Sequence, residues 1–166
     1  MDQIGTATTV LPARQPLGRF TVTIDPNGRF KLPAKVKEWL DKFPEKTIFC
    51  TSLDGRIAQI YPIPVWDKYQ TFMDQAENRA AARRVMFRAQ ELGQEMDFDS
   101  AGRITVPQQL REAVGIKGQQ ELRMSVDRGV VQIMTQAVYE TLREEGEGDP
   151  VGDYRALEDA GLGKGI

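Results

Sequence analysis

Residues 25–33 read DPNGRFKLP, and residues 99–107 read DSAGRITVP. The two stretches lie 74 positions apart and share four residues at identical offsets: Asp25/Asp99, Gly28/Gly102, Arg29/Arg103 and Pro33/Pro107. Self-similarity at a fixed spacing is the signature of a repeated structural unit. We therefore predict an internal duplication and a fold built from two similar halves.

The first motif has the pattern of a tight turn between two strands. Alternating apolar residues in RFTVTI (19–24) predict a half-buried strand. The residues DPNG (25–28) are a strong turn signal, because proline is preset for the second turn position and glycine tolerates a positive φ. The return strand RFKLP (29–33) alternates again, which points Arg29 and Lys31 away from its apolar face. We expect a β-hairpin with a basic outer side.

The rest of each half follows the same order of elements. The second motif predicts the same outward orientation for Arg103 and Thr105. Apolar spacing of i, i+3, i+4 then predicts a short helix in each half, formed by Val36, Trp39 and Leu40 and by Leu110, Ala113 and Val114. Each half continues with two strands joined as a hairpin, TIFCTS with IAQIYP and ELRMSVD with VVQIMT. A further helix is predicted after Pro64, with an apolar face of Val65, Trp66, Tyr69 and Met73.

An arginine-rich helix is predicted between the halves, over ENRAAARRVMFRAQEL (77–92). On a helical projection one side carries the apolar residues Ala81, Ala82, Val85, Met86, Ala89 and Leu92. The opposite side carries Arg79, Arg83, Arg84 and Arg88. These arginines form either an ordinary solvated face or a secondary basic face that contacts DNA or a neighbouring subunit.

These elements divide the chain into five predicted segments. They are a flexible N-terminal arm at 1–17, a first repeat at 18–75, the linker helix at 76–93, a second repeat at 94–145 and a flexible acidic tail at 146–166 with one helical turn around YRALEDA. The net charge is −2 for the chain and −5 for residues 140–166, which leaves +3 for the remainder. Because local fields decide binding, the negative total does not exclude a polyanionic partner.

The composition argues against catalysis and against metal binding. The chain has no histidine and one cysteine, Cys50, which we expect to be a buried small hydrophobe. Zinc sites and Ser-His or Cys-His nucleophile pairs are thereby excluded, and we predict no catalytic residue, metal or cofactor. No run approaches the roughly 18 apolar residues that span a bilayer, and the N-terminus lacks a signal-peptide pattern. We expect a cytoplasmic protein with no membrane or small-molecule substrate.

The repeated arginine has two physical explanations. A guanidinium held outward beside a tight turn suits phosphate oxygens and the paired acceptors of guanine. Alternatively, Asp25 and Asp99 each stand four residues before an arginine and could clamp the turn as a carboxylate–guanidinium pair. Residue patterns alone leave both explanations open.

The doubled motif resembles a known family. The pattern T-x-D-x-x-G-R-x-x-x-P-A-K (23–35), followed by D-x-x-G-R-I-x-V-P-x-x-L-R-E-x-x-G-I (99–116), is similar to the MraZ family of bacterial transcriptional regulators. The linker arginines before GQEMDFD and the aromatic Trp66 add to a resemblance that covers about residues 18 to 143. It implies an α+β fold of two pseudo-twofold-related SpoVT/AbrB-like β-hairpin/helix repeats that form one swapped-hairpin-like β core.

The resemblance also implies a function. The DNA-associated DxxxR motifs of the family fall on Asp25 with Arg29 and on Asp99 with Arg103, and Lys31, Asn27 and Thr105 are candidates for further DNA contacts. We expect a nucleoid-associated repressor of the division and cell wall gene cluster, its own promoter included. It would bind promoter repeats in double-stranded DNA as a ring-shaped homo-oligomer.

Two other functions fit the sequence. One is an AbrB-type antitoxin or transition-state regulator with a protein partner on the acidic tail. The other is a ring-forming scaffold in which basic faces pair with the acidic tails of neighbouring subunits and no DNA is bound. A gel shift with the chain's own upstream DNA discriminates the scaffold from the regulators, and co-purification of a small protein partner would favour the antitoxin.

Overall fold

The computed structural model describes residues 14–165 and has an α+β fold. The strands are β1 (Arg19–Ile24), β2 (Arg29–Lys31), β3 (Thr47–Thr51), β4 (Ala58–Pro62), β5 (Gln94–Asp97), β6 (Arg103–Thr105), β7 (Gln120–Asp127) and β8 (Val130–Thr135). The helices are α1 (Ala34–Asp41), α2 (Ile63–Gln75), α3 (Arg79–Leu92), α4 (Gln108–Val114), α5 (Gln136–Glu145) and α6 (Pro150–Asp159). None of these helices is long and apolar enough to cross a membrane.

Six strands form one antiparallel sheet in the order β1-β7-β8-β4-β3-β5, and β2 and β6 form a separate two-stranded ribbon. The predicted hairpins β3–β4 and β7–β8 are confirmed. The turn of the second hairpin contains Arg128 and Gly129, both with positive φ, as a two-residue hairpin turn requires. At the centre of the sheet β4 pairs with β8, and Gln59 faces Gln132. The first strand of each half extends the hairpin of the other half, because β1 pairs with β7 and β5 pairs with β3.

The strands that flank each motif do not pair as a hairpin, contrary to the prediction. The first turn itself forms, since the backbone N–H of Asp25 donates to the Arg29 carbonyl (2.9 Å) and that of Gly28 donates to the Asp25 carbonyl (2.9 Å). Beyond the turn the chain diverges, and β1 pairs with β7 while β2 pairs with β6. Side-chain alternation determines which face of a strand is apolar, but it does not select the partner strand.

The short helices after the two motifs pack on the core largely as predicted. Pro33 and Pro107 immediately precede α1 and α4. The predicted residues of α1 are all buried, namely Val36, Trp39 and Leu40. In α4, Leu110 and Val114 are buried but Ala113 is exposed, so that part of the prediction is wrong. Leu110 and Val114 are one turn apart and suffice to dock a seven-residue helix.

Helix α2 begins at Ile63, one residue before Pro64, and proline is well tolerated in a first helical turn. Val65 and Trp66 are buried as predicted, and Tyr69 and Met73 are half-buried. The Trp66 ring lies 4.9 Å from the ring of Tyr61 and 4.7 Å from that of Phe49. These contacts anchor α2 to β3 and β4.

The linker helix α3 is amphipathic, as predicted. Asn78 caps its N-terminus by accepting a hydrogen bond from the Ala81 N–H (3.0 Å). Ala82 and Ala89 are buried, and the Thr51 hydroxyl donates to the Ala89 carbonyl (2.6 Å). The small alanine side chains allow the helix to approach β3 closely.

Two compact units are present, and the boundary between them falls after Gln136. The motif ribbon and the six-stranded sheet both lie in the first unit. In the second unit α6 spans Pro150–Asp159, which is longer than the single turn predicted there. The predicted N-terminal arm lies outside the described residues up to position 13. Within the arm's described end, Gln15 exchanges hydrogen bonds with the β7–β8 turn, donating to the Val126 carbonyl and accepting from the Gly129 N–H.

Candidate nucleic-acid interface

The β2–β6 ribbon brings the predicted basic residues of both motifs onto one surface. Its antiparallel register places Arg29 opposite Thr105 and Lys31 opposite Arg103. These four side chains are exposed, whereas those of Phe30 and Ile104 on the other side of the ribbon are buried. We call the exposed side, formed by Arg29, Lys31, Arg103 and Thr105, the basic face.

The first motif turn fixes the base of Arg29. One carboxylate oxygen of Asp25, Oδ1, accepts hydrogen bonds from the backbone N–H groups of Asn27 and Arg29, each at 2.9 Å. The other oxygen, Oδ2, accepts from Arg29 Nε at 3.1 Å. Asn27 itself is exposed in the turn. The carboxylate therefore closes the turn and orients the guanidinium at the same time.

The second motif turn repeats this arrangement around Arg103. Asp99 Oδ1 accepts from the N–H groups of Ala101 (3.0 Å) and Arg103 (2.9 Å), and Asp99 Oδ2 accepts from Arg103 Nε (2.8 Å). The pKa of Asp25 and the pKa of Asp99 both lie below the usual value of 3.8, chiefly because of the hydrogen bond from the arginine backbone N–H, with the guanidinium also contributing. Both carboxylates are ionised at neutral pH.

The aspartates engage only one edge of each guanidinium. The side chains of Arg29 and Arg103 are 60% and 68% exposed, and the contact to each carboxylate is made through Nε. Among residues 14–165, neither arginine makes another side-chain hydrogen bond or ion pair. The terminal Nη groups, which suit bidentate contacts to phosphate or guanine, therefore point to solvent. The clamp and an outward-facing fork coexist, so the geometry is compatible with both explanations of the repeated arginine.

Lys31 lies directly opposite Arg103 on the basic face. In the described part of the chain Lys31 has no carboxylate partner. Like charges opposite each other on an antiparallel pair destabilise it. The Asp99 carboxylate offsets part of this repulsion, because it is ion-paired with Arg103 at 2.8 Å.

A groove of about 410 Å³ runs beside the ribbon, between the basic face and strand β5. Arg29, Arg103 and Thr105 line one side, and Asp97 and Asp99 contribute acidic groups. Thr47 donates a hydrogen bond to Asp97 (2.8 Å). Because these carboxylates repel phosphate, they weaken the attraction of the groove for an anion.

Cationic side chains from the short helices pack under the motif turns, and the sequence analysis missed them. Arg111 of α4 donates from Nη1 to the Pro26 carbonyl (3.3 Å), in the turn of the first motif. Lys37 of α1 packs its stem against Gly102, in the turn of the second motif. The two positions are 74 apart, so the repeat spacing itself was a signal that could have identified them.

The linker arginines differ from one another. Arg79 donates to the Met73 carbonyl (2.6 Å), and Arg88 donates to the Leu53 carbonyl (2.7 Å). Arg83 and Arg84 are exposed. None of the four lines the groove beside the ribbon. The predicted arginine face is thus divided between two groups that bind backbone carbonyls and two that face solvent.

The chain is an α+β protein whose two-stranded ribbon presents three cations to solvent, and turn carboxylates orient two of them. Such a surface is suited to bind a polyanion.

Comparison with known proteins identifies the family. The chain is 32% identical over 148 residues to the transcriptional regulator MraZ of Acidobacterium capsulatum, covering 87% of this chain and 98% of that protein. It is 31% identical over 149 residues to the transcriptional regulator MraZ of Koribacter versatilis, with the same coverage.

A third relative is the transcriptional regulator MraZ of Anaeromyxobacter sp. strain Fw109-5, 31% identical over 140 residues that cover 82% of this chain and 95% of that protein. No protein-family model matches the chain. The identities and coverages are sufficient to state that the chain belongs to the MraZ family of transcriptional regulators. Its relatives are named as regulators and not as enzymes, which is consistent with the composition.

Proposed function

We propose that the protein regulates transcription by binding DNA through the basic face. The observation that carries this proposal is the pairing of Lys31 with Arg103 on an exposed ribbon, with Arg29 two residue pairs further along on the same face. The membership in a family of transcriptional regulators supports it. Asp25 and Asp99 offset part of the charge of the two arginines, but the exposed guanidinium groups and Lys31 remain accessible to the phosphate oxygens of a nucleic acid.

The ribbon has a shape that DNA can accept. The major groove of B-DNA is about 12 Å wide and admits a two-stranded β-ribbon. With the ribbon in that groove, the Nη groups of Arg29 and Arg103 would contact phosphates or guanine acceptors. Asn27 and Thr105 would supply further polar contacts. Asp25 and Asp99 would act through the arginines, because a carboxylate that faced phosphate would repel it.

We further propose that the two motifs belong to pseudo-twofold-related SpoVT/AbrB-like repeats. Backbone contacts at equivalent positions support this: Val106 N–H donates to the Gly28 carbonyl, and Leu32 N–H donates to the Gly102 carbonyl, both at 2.8 Å. A related pair of motifs would present its arginines in matched orientations. Such matching suits a sequence-specific repressor that reads short promoter repeats.

In the proposed cellular role, the protein represses the division and cell wall gene cluster, its own promoter included, as a ring-shaped homo-oligomer. One basic face offers few phosphate contacts and binds weakly. Several faces linked on a ring raise the effective local concentration and bind repeated sites together. The solvent-facing pair Arg83 and Arg84 is then available to DNA or to a neighbouring subunit.

The test is the salt dependence of DNA binding by the full chain. Arg29→Ala is expected to weaken binding to the upstream DNA and to reduce the slope of log K against log[salt] by about 1 for each bound subunit, because one phosphate contact is lost. Binding would be measured by fluorescence anisotropy at several salt concentrations, and thermal unfolding would be followed in parallel.

Arg128→Asn provides the matched control. Arg128 is 84% exposed but belongs to the β7–β8 turn, and asparagine accepts its positive φ of 50°. We expect this variant to bind DNA as the parent does. If Arg29→Ala keeps the parent's affinity and salt slope, the basic face is not the DNA site, and failure of the parent to bind DNA at all would favour a scaffold.

A further inference from the structure

Each motif turn is supported by the half of the chain to which it does not belong. The backbone bonds from Val106 to Gly28 and from Leu32 to Gly102 cross between the halves. The side chains that cover the two turn glycines cross in the same way. Arg111 lies against Gly28, and Lys37 lies against Gly102.

The contact between Arg111 and Gly28 leaves no spare room. Gly28 has a φ of +85°, and a Cβ built on it would lie 2.7 Å from Nε and Cζ of Arg111 and 2.8 Å from the Val106 carbonyl oxygen. Arg111 Nε is buried and has no hydrogen-bond partner among the described residues. Its Nη1 donates to the Pro26 carbonyl. The guanidinium is thus inserted under the turn from which Arg29 emerges.

Lys37 makes a different contact at the equivalent place. A Cβ on Gly102 would lie 2.9 Å from the Lys37 Cδ, so the aliphatic stem covers the second turn. The ammonium group instead binds Asp41 Oδ2 at 2.6 Å. By contrast, no carboxylate in residues 14–165 pairs with Arg111. Only the first turn is held by a charged donor from the other half.

We propose that Arg111 is a positioning residue for Arg29, 82 positions away, and not for Arg103, which precedes it by eight. It fixes the carbonyl of Pro26 and the underside of Gly28, and so fixes the turn whose Asp25 carboxylate orients the Arg29 fork. DNA binding by the first motif then depends on helix α4 of the second half. This inference rests on the proposed DNA-binding role of Arg29.

The test is a pair of double-mutant cycles on DNA affinity in the full chain, with Arg111→Met combined with Arg29→Ala or with Arg103→Ala. Methionine keeps an unbranched stem and removes the donor. Alone, Arg111→Met is expected to weaken binding by no more than Arg29→Ala does. In the Arg29→Ala background, Arg111→Met is expected to change the DNA affinity by less than about twofold. In the Arg103→Ala background, the losses in affinity from the two substitutions are expected to add.

If Arg111→Met only damaged the structure, its effect on affinity would be coupled equally to Arg29→Ala and to Arg103→Ala. If Arg111 contacted DNA directly, its loss in affinity would add to the loss in either background. Either result would overturn the inference while leaving the proposed function intact. The proposed function itself fails separately, if Arg29→Ala binds DNA as the parent does. Lys37→Met is the matched control at the equivalent position, and its affinity is expected to stay within about twofold of the parent because its stem is retained.

Arg111→Lys keeps the inference testable if Arg111→Met does not fold. Lysine keeps a charged donor on an unbranched stem, so this variant is expected to bind DNA within about twofold of the parent. A loss in Arg111→Lys as large as that in Arg29→Ala would overturn the role of the donor. Circular dichroism melting of each variant would accompany the binding measurements.

Discussion

Each motif aspartate accepts hydrogen bonds on both carboxylate oxygens. Oδ1 accepts from backbone N–H groups of the turn, and Oδ2 accepts from Nε of the arginine. This division explains why the residue four positions before the arginine is an acid. Asparagine could accept the backbone bonds, but it would provide no charge for Nε. The aspartate charge is therefore expected to support both the turn and the orientation of Arg29 and Arg103.

The carboxylates give a pH-dependent contribution to stability whose sign follows from their pKa. Because folding lowers the pKa of Asp25 and of Asp99, their stabilisation is fully present above the usual value of 3.8 and is lost as the pH falls through the lower folded-state value. The double variant Asp25→Asn, Asp99→Asn is thus expected to be less stable than the parent at pH 7.

The difference in unfolding free energy between that variant and the parent should shrink as the pH falls below 3.8. Urea titrations from pH 7 downward would measure it. A difference that stays constant over this range would show that the carboxylate charge plays no part. At the residue scale the two turns and their Asp–Arg pairs could be predicted from the sequence, because turn residues, alternation and the Asp–Arg spacing are local signals.

At the scale of elements, the partner of each motif strand could not be predicted. RFTVTI and RFKLP have compatible alternation and a tight turn between them, yet β1 pairs with β7 and β2 with β6. Pairing partners are chosen by long-range packing, and local pattern carries no information about it. The consequence for the site is large, since the observed pairing puts Lys31 beside Arg103 instead of separating the motifs.

Helix α3 shows a second limit of the sequence pattern. The periodicity placed four arginines on one face, but it could not tell that Arg79 and Arg88 would find backbone carbonyls on neighbouring elements. These carbonyls belong to Met73, in the last turn of α2, and to Leu53, after β3, so neither lies on α3 itself. An exposed face on a helical projection is therefore not the same as a face free for binding.

We expect Arg88→Met to destabilise the protein and Arg84→Met to leave its stability unchanged. Arg88 donates to the Leu53 carbonyl at 2.7 Å, a bond whose loss is typically worth about 0.5–1.5 kcal/mol, or more for a charged donor. Arg84 is exposed and has no such bond in the described residues. Chemical denaturation of both variants measures the difference, and equal stabilities would contradict the structural role of Arg88.

At the scale of the whole molecule, the basic face is a composite of the two halves of the chain. Each half alone offers a turn and one arginine, and the basic face exists only because strands from both halves pair. The motif spacing was enough to predict that the two turns hold their arginines in the same way. The exchange of strands between the halves, and of supporting side chains such as Arg111, could be recognised only from the three-dimensional structure.

Because the chain has a single cysteine, thiol chemistry can test the proposed binding surface directly. Cys50 is fully buried in β3, and burial raises the pKa of its thiol to about 12, so the folded parent is expected to resist alkylation. Thr105→Cys then places one reactive thiol on the basic face, and Thr71→Cys places one on the exposed surface of α2 as a control.

The decisive measurement is the rate of thiol alkylation in these two variants with and without saturating promoter DNA. DNA is expected to slow modification of the cysteine at position 105 several-fold and to leave the rate at position 71 unchanged. Equal rates at position 105 in the free and the DNA-bound protein would contradict DNA binding through the β2–β6 ribbon.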